Sequence, residues 1–501
     1  MTAIPWDIEA CFGTVWTSIL ADVMTRNPTD VSSGIDGSDI TDRVAKTGSI
    51  RFLVNNDVSN SGGTLGWYSP DNANCRSGWG IGTKVRYSMT DGTVPYTKFV
   101  GRISTIEPDF GIYGNRGVSV TALDYMDILA TYKLKLLALQ QAQRPDQVVG
   151  TVVAALSITP DATNYMQDNE TYTYALHNEQ DEKTTAMSVL QKIAQSSLSY
   201  IYDAGGTLTY EPRGERLKNI TSAGTISDTM TGLTVKREAN RIYNTIKATI
   251  YPVEVGDSLV VLASSPAAFS VPPSGTVTQS FRYRDPVSGK NRVSGYGMVT
   301  PEADTDYRFS FAPTGSGNQA NGSVTVSCAF GGNSASATII NGYGQTVYAN
   351  LFQMRGYMVS VYDPVEVVKE DATSQAAYGE RTLTFSQPYQ ASTNYADSIA
   401  TWLLSRFKDP YSDISAVEFT ANASANLQTL GITLGISDRV TIQETVTGVS
   451  RDFFINQVSY TMGEGCILKV NWILEPASPI VYWILGDAVY GVLDVTTLPG
   501  P

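Results

Sequence analysis

The sequence predicts a multi-domain protein that is mainly β, with α+β insertions. At 501 residues the chain exceeds what one hydrophobic core usually supports, so three or four domains are expected. Charged residues are only 17% of the chain, while 28 Tyr and 43 Gly suit strands joined by tight turns. Short segments of alternating apolar residues recur along the chain, which is the pattern of half-buried strands.

The first segment is predicted to form several short strands. Gly48-Ser-Ile-Arg-Phe-Leu-Val alternates with period two, and the stretches 84–89, 96–106 and 117–122 continue the pattern. Strands at this spacing indicate a barrel or a sandwich. The stretch 55–66 is rich in Gly, Ser and Asn, has almost nothing to bury, and is predicted to be a surface loop.

Helical periodicity follows in three stretches. One helix comes directly after the strand at 118–121, a second starts at Pro145, and a third begins near Thr184. The segment 200–210 then predicts a hairpin that turns at Gly205-Gly206.

The second half of the chain is predicted to be almost entirely β from 240 to 387, with exposed loops at 264–275 and 313–322. A late helix over 394–407 ends before Pro410. Further strands are predicted over 438–443, 453–461 and 467–474. The apolar residues after Pro479 are too few for a core, and they form either an arm that packs on a neighbour or a frayed tail.

Residue types that carry chemistry are few. His177 is the only histidine, so any Ser-His or Cys-His catalysis must use it, and no nucleophile signature lies near it. We interpret it as a surface or interface residue. The cysteines form no CxxC pair and are predicted to be buried free thiols. They are Cys11, Cys75, Cys328 and Cys466.

Two acidic clusters have alternative interpretations. The first is Glu179, Asp181 and Glu182. It precedes a helix start, where negative charge meets the helix dipole, and paired carboxylates of a glycosidase are the alternative. The second is Asp36, Asp39 and Asp42. Its spacing could suggest calcium, but the Gly and final Glu of an EF-hand are absent, so a solvated loop is favoured. We therefore predict no catalytic, cofactor-binding or metal-binding residues.

Charge and hydropathy limit the location of the chain. The formal charge of −13 argues against binding to a nucleic-acid backbone. It is still compatible with a channel wall past which nucleic acid slides, because weak repulsion prevents sticking. The first 20 residues carry Asp7 and Glu9 without a basic start, which is unlike a signal peptide. The longest apolar stretch, 480–485, is too short to span a bilayer. We expect synthesis in the cytoplasm and a soluble product.

Several segments, taken in order, resemble the tail hub, or minor tail protein, of long-tailed bacteriophages. They are Asp39-Ile-Thr-Asp-Arg-Val, Gly48-Ser-Ile-Arg-Phe-Leu-Val, Gly82-Thr-Lys-Val-Arg-Tyr, Val118-Ser-Val-Thr-Ala-Leu-Asp, 238–251, Gln353-Met-Arg-Gly-Tyr, Trp402-Leu-Leu-Ser-Arg-Phe, Gly435-Ile-Ser-Asp-Arg-Val-Thr-Ile and the ending from Trp483. The order across nearly the whole chain is what carries the resemblance, and the region 264–322 matches least.

This resemblance implies a structural, non-enzymatic virion protein of the tail tip or baseplate, without cofactors. Such hubs have two tube-like β-barrel domains per chain and form homotrimers, in which six barrels make a pseudo-hexameric ring. The expected partners are the distal tail protein ring, the tape-measure protein, and a tail fibre or receptor-binding protein. DNA would meet the chain only in transit through the lumen during genome ejection. Assembly would take place in the host cytoplasm.

Together the patterns and the resemblance predict five segments. They are a barrel-like hub domain over 1–130, an α+β domain over 131–235, a β-rich domain over 236–390 with a loop-rich insertion at 264–345, a helix with a second barrel over 391–478, and a C-terminal arm over 479–501.

Two alternative functions belong to other classes. A tail-associated glycosidase or peptidase would show two carboxylates in an open cleft. A carbohydrate-binding β-sandwich at 264–344 would show Trp or Tyr rings open to solvent.

Overall fold

The structure is a computed structural model that describes residues 3–37, 40–111, 116–177, 179, 182–316 and 318–477. Beyond them it describes two short parallel strands at 481–482 and 497–498. Most of the predicted C-terminal arm, including the ending from Trp483, therefore lies outside the described residues.

Seven strands and one helix occupy the N-terminal segment. They are β1 (Trp6–Phe12), β2 (Val15–Ser18), β3 (Thr29–Gly34), β4 (Lys46–Asn55), β5 (Lys84–Thr90), β6 (Pro95–Pro108), β7 (Gly117–Leu123) and α1 (Tyr125–Thr131). The predicted strands and the helix that directly follows one of them are confirmed. The helix begins there because the Asp124 side chain accepts a hydrogen bond from the backbone N–H of Met126.

The predicted loop over 55–66 is a series of turns that is anchored from the inside. Asp22 is buried and accepts hydrogen bonds from the backbone N–H of Ser61 at 2.7 Å and from the Tyr68 hydroxyl at 2.6 Å. Polar contacts thus replace the apolar burial that the loop lacks.

An α+β unit follows. Its elements are β8 (Gln140–Gln143), α2 (Pro145–Ala154), β9 (Ala162–Tyr165), β10 (Tyr172–Ala175), α3 (Ala186–Ser197), β11 (Tyr200–Ala204), β12 (Thr207–Glu211), α4 (Arg213–Lys218), β13 (Thr225–Ser227) and β14 (Gly232–Lys236). The predicted helices and hairpin are confirmed, and Gly205 and Gly206 take the turn with φ of +59° and +91°.

The middle of the chain is β-rich, as predicted. It contains β15 (Thr245–Ile250), β16 (Val253–Ser264), β17 (Phe269–Val271), β18 (Thr276–Arg282), β19 (Ser294–Tyr296), β20 (Tyr307–Ser310), β21 (Val324–Phe330), β22 (Ser334–Asn341), β23 (Val347–Val361), β24 (Val365–Glu370), α5 (Ala372–Tyr378) and β25 (Thr382–Gln387). The strands form three sheets, and the long β23 organises the largest of them.

The late helix and the final strands are also confirmed. They are α6 (Thr393–Phe407), β26 (Asp413–Thr420), α7 (Ala425–Thr433), β27 (Arg439–Glu444), β28 (Val449–Gly463) and β29 (Ile467–Pro476), followed by the short β30 (Val481–Tyr482) and β31 (Thr497–Leu498). The prediction of a mainly β, multi-domain chain is thereby confirmed. No helix among the described residues is long and apolar enough to cross a membrane.

One 13-stranded sheet joins the two ends of the chain. Its path runs β14-β26-β29-β28-β3-β4-β7-β6-β5-β1-β2, with β27 and β13 attached beside β28. The antiparallel pair β3–β28 makes the junction, with Gln457 opposite Gly34 and Met462 opposite Thr29. None of the sheets formed by the described residues closes into a barrel, so the two separate tube-like barrels are not observed. The N-terminal strands present the edge of β3 and the C-terminal strands the edge of β28. Because these two strands pair, neither edge is left with unpaired backbone N–H and C=O groups.

Four hydrophobic clusters fill the interior. The largest takes side chains from both ends of the chain, including Phe52, Tyr87, Tyr460 and Trp472. A second is centred on the α+β unit but also takes Val44 and Tyr389 from outside it. A third lies within the β-rich middle of the chain, and in the fourth α6 packs on the sheet of β15, β24 and β25. The five domain boundaries remain a prediction, although the shared sheet unites strands from 1–130 and 391–478.

Candidate functional site

A carboxylate surrounded by three guanidinium groups lies where the units meet. Glu475 Oε1 is 2.9 Å from Arg406 Nη2 and 4.0 Å from Arg43 Nη2, while Oε2 is 2.9 Å from Arg216 Nη1. The side chains of Arg43 and Arg216 are only 2% and 4% exposed, and that of Glu475 is 17% exposed. The cluster is thus an internal ionic junction and not a surface salt bridge.

Neutral groups complete this junction. The Tyr200 hydroxyl donates to both carboxylate oxygens, at 3.1 and 3.0 Å. Arg216 Nη1 also donates to Asn456 Oδ1 at 2.6 Å, and its guanidinium lies 3.6 Å from the centre of the Tyr200 ring. These contacts give the buried charges hydrogen bonds and an aromatic face in place of water.

The electrostatics keep Glu475 ionised. Burial by itself would raise its pKa, but Arg406, Arg43 and Arg216, together with the hydrogen bond from Tyr200, lower the pKa to about 2. The carboxylate is therefore charged at any physiological pH.

The residues of the Glu475 junction come from distant parts of the chain. Arg43 precedes β4, Tyr200 lies on β11, Arg216 on α4, Arg406 on α6 and Glu475 on β29. Side chains from three of the five predicted segments, 1–130, 131–235 and 391–478, thus share one ion cluster. Removal of one partner would leave another charge buried and unpaired, so the cluster fixes the relative positions of these elements. Sequence reasoning missed it, because its members are distant in the chain and share no motif.

His177 is buried at an interface inside the chain and is not on the surface. It is 4% exposed, its ring meets that of Tyr389 at 5.9 Å, and its carbonyl accepts a hydrogen bond from the Ser294 hydroxyl. Its Nδ1 is buried without a hydrogen-bond partner. Burial lowers the pKa of His177 to about 4, so the ring is neutral at physiological pH.

The described residues of the first acidic cluster, Glu179 and Glu182, have separate partners. Glu179 is buried and binds Lys192 Nζ at 2.8 and 2.9 Å, and it also accepts from the Tyr389 hydroxyl. The prediction of a solvated role at a helix start is therefore wrong for Glu179, because α3 itself supplies a cation. Glu182 forms an exposed pair with Lys135 at 3.1 Å, and Asp181 lies outside the described residues.

Only part of the second acidic cluster lies among the described residues. Asp36 pairs with Lys46, and Asp39 is not among the described residues. Within the part of the chain that the structure describes, no group of three or more His, Cys, Asp or Glu side chains could hold a metal ion. All four cysteines are free, as predicted, but each is half-buried and none is fully buried.

A cleft that the sequence did not predict lies between the central sheet and the α+β unit. Its volume is about 320 Å³, and Asp124 and Asp203 are among the residues that line it. Each aspartate is 3% exposed. One oxygen of each, Oδ2, is covered by protein atoms and has no hydrogen-bond partner.

Comparison with known proteins concerns the fold only. No family model matches the sequence, and no curated protein matches it. Among solved structures, the 43 kDa tail protein of prophage MuSo2 from Shewanella oneidensis has a TM-score of 0.50 at 10% identity, covering 94% of this chain and 99% of that one. A tail protein from Neisseria meningitidis MC58 has a TM-score of 0.49 at 9% identity, covering 94% and 96%. The chain thus has the fold of a prophage tail protein over nearly its whole length, and the resemblance to phage tail proteins is confirmed at this level.

Proposed function

We propose that this chain is a structural, non-enzymatic subunit of a phage-type tail tip. Three copies would form the hub, as a pseudo-hexameric ring that continues or closes the tail tube. The observation that carries the proposal is the fold shared with a prophage tail protein over 94% of this chain and 99% of the other. Its finer parts, the ring and the trimer, rest on the resemblance of the sequence to tail hubs.

The central sheet offers a physical basis for association. Its path ends at β2 on one side and β14 on the other, and these terminal strands have one neighbour each among the described strands. Unpaired strand edges are surfaces on which further chains can assemble. An obligate interface of this kind would bury on the order of 2,000 Å² or more.

The Glu475 junction supports a role that depends on shape. A ring subunit transmits load only if its parts keep a fixed orientation. The buried cluster joins elements of three segments, because separating them would leave charges buried and unpaired.

The proposed partners are the distal tail protein ring, the tape-measure protein before ejection, and a tail fibre or receptor-binding protein. DNA would pass through the lumen without specific binding, in keeping with the net charge of −13. The proposed location is the virion tail tip, after assembly in the host cytoplasm.

The two alternative functions have less support. The aromatic side chains of 264–344 are all buried or half-buried among the described residues, so they form no open platform for a sugar. Asp124 and Asp203 do share a cleft, as a glycosidase would require. Their unpartnered oxygens are covered, however, and cannot touch a substrate in this conformation.

Light scattering on the purified full chain, combined with electron microscopy, tests the ring. The expected particle has three times the chain mass of 54.1 kDa and threefold symmetry. Val15→Lys, at a 64% exposed position on β2, should weaken assembly. The matched control Val446→Lys, at a 92% exposed hairpin tip, should leave assembly unchanged. A single 54.1 kDa species at every concentration, both alone and with purified tail tubes, would overturn the proposal.

A further inference from the structure

The cleft between the central sheet and the α+β unit is lined by both apolar and acidic residues. Ile81, Val100, Ile103 and Leu123 are among the apolar ones, and Asp124 and Asp203 are among the acidic ones. The two aspartates come from different units, because Asp124 follows β7 of the central sheet and Asp203 lies on β11.

Asp124 is held tightly on the side of the sheet. Its Oδ1 accepts a hydrogen bond from the Met126 N–H at 3.0 Å, which caps α1. Its Oδ2 is buried without a partner, and it lies so close to Gly48 that an added Cβ there would be 2.4 Å away. No water can reach this oxygen unless the chain moves.

Asp203 lines the same cleft from the α+β unit. Its Oδ1 accepts from the Gly206 N–H at 2.7 Å, and its Oδ2 is likewise buried and unpartnered. The strand that carries it is docked on the chain before β4, since Ala45 N–H donates to the Ile201 carbonyl at 2.8 Å. The aspartates therefore belong to the contact through which the unit sits on the sheet.

The surrounding charges do not neutralise this pair. The other charged groups that line the cleft are Lys84, Arg102, Asp127 and Asp161. Lys84 pairs with Asp161, and Arg102 Nη1 donates to the Gly82 carbonyl. Asp127 and Asp161 are carboxylates and add repulsion. Two buried carboxylates without a cation are costly, whereas a bound proton removes the charge.

The pKa values of both aspartates are raised, as expected for buried carboxylates without a cation. Burial, with repulsion from Asp203, raises the pKa of Asp124 to about 8. Burial, with a smaller contribution from Asp161, raises the pKa of Asp203 to about 6. A divalent cation is the less suitable ligand, because the described residues provide no group of three ligating side chains.

We propose that Asp124 and Asp203 form a proton-binding site that holds the α+β unit against the central sheet, and that loss of the protons loosens this contact. The site goes beyond the proposed structural function, since it makes the shape of the chain depend on pH. Both pKa values are raised relative to the ordinary value of 3.8, so the bound protons stabilise the contact between the α+β unit and the central sheet fully below pH 3.8. This stabilisation declines as pH rises. The contribution of Asp203 is lost above about pH 6 and that of Asp124 above about pH 8.

Hydrogen exchange on the full chain, measured by mass spectrometry at pH 5 and pH 8 and corrected for intrinsic exchange, tests the site. Peptides over α1 and the β11–β12 hairpin should lose protection as pH rises, by up to about tenfold per pH unit. Asp124→Asn and Asp203→Asn keep an oxygen for the existing backbone hydrogen bonds but cannot ionise. Each should reduce this pH dependence, and the double variant should abolish it. Asp257→Asn, at an exposed position on β16, is the matched control.

Three outcomes would overturn the proposal. The first is equal corrected protection of these peptides at the two pH values in the wild-type chain. The second is a double variant that keeps the wild-type pH dependence. The third is protection at pH 8 that Mg²⁺ or Ca²⁺ restores and EDTA removes, since the ligand would then be a metal ion. The ring proposal is measured separately by particle mass, so either proposal can fail alone.

Discussion

Substitution of Glu475 by Gln should strongly destabilise the junction at neutral pH. The side chain keeps its size and one carbonyl oxygen for Tyr200, but three guanidinium groups lose their counter-charge. The pKa of Glu475 falls from the ordinary value of 4.5 to about 2 in the folded chain. At about 1.4 kcal/mol per pKa unit, this depression corresponds to roughly 3 kcal/mol of stability.

The pH dependence gives this prediction a specific signature. Because the folded pKa is lowered, the stabilisation is present above pH 4.5 and is lost as pH falls through about 2. The difference between wild type and Glu475→Gln should therefore be largest at neutral pH and shrink below pH 4.5. Added salt should change it little, since buried pairs are weakly screened.

Urea denaturation, followed by fluorescence and by circular dichroism, measures the effect. Glu366→Gln, at an exposed position on β24, is the control and should lie within about 0.5 kcal/mol of wild type. If Glu475→Gln also lies within that margin at pH 7, the cluster does not stabilise the chain and the reasoning fails. A loss of the same size at pH 3 as at pH 7 would show that packing, and not charge, is responsible.

Three further predictions concern single positions. Gly34→Ala should lower the free energy of unfolding in urea by roughly 3 kcal/mol, because φ is +124° and a Cβ would lie 2.4 Å from the Asn456 carbonyl oxygen. The control Gly289→Ala, with φ of +64° and open space around the position, should lower it less. Asp22→Ala removes the acceptor of three hydrogen bonds, so the loop over 55–66 should be cleaved by protease well before the rest of the chain, and equal resistance would contradict this. The wild-type chain should lose stability as pH falls from 6.5 to 4, because burial lowers the folded pKa of His177 to about 4 and charging the buried ring is unfavourable. His177→Phe should make this loss smaller, and an unchanged dependence of the unfolding free energy on pH would refute the prediction.

Several elements followed directly from local sequence. Pro145 starts α2, Gly205-Gly206 turn the hairpin, and alternation marks β4 because every second side chain enters the core. Such features depend on neighbours within a few residues, so a linear pattern contains the information. The resemblance of several ordered segments to phage tail hubs also indicated the fold that the chain shares with a prophage tail protein.

The features that the sequence did not predict are contacts between distant residues. Glu179 was expected in solvent at a helix start, but it is buried because Lys192 and Tyr389 reach it. The resemblance implies two separate barrels, which stay a prediction, and no local pattern indicated that β3 pairs with β28 across more than 400 residues. The local alternation of apolar and polar residues does not indicate which distant residue or strand will be the partner.

The sequence by itself determined which segments become strands and helices, and the broad class of the protein, because side-chain alternation and turn residues act locally. Only the tertiary structure decided which carboxylates are charged. Glu475 lies among three guanidinium groups and is ionised, while Asp124 and Asp203 lie without a cation and hold protons at higher pH. Identical chemical groups differ here because burial and nearby charge set the pKa, and both depend on the folded arrangement of distant segments.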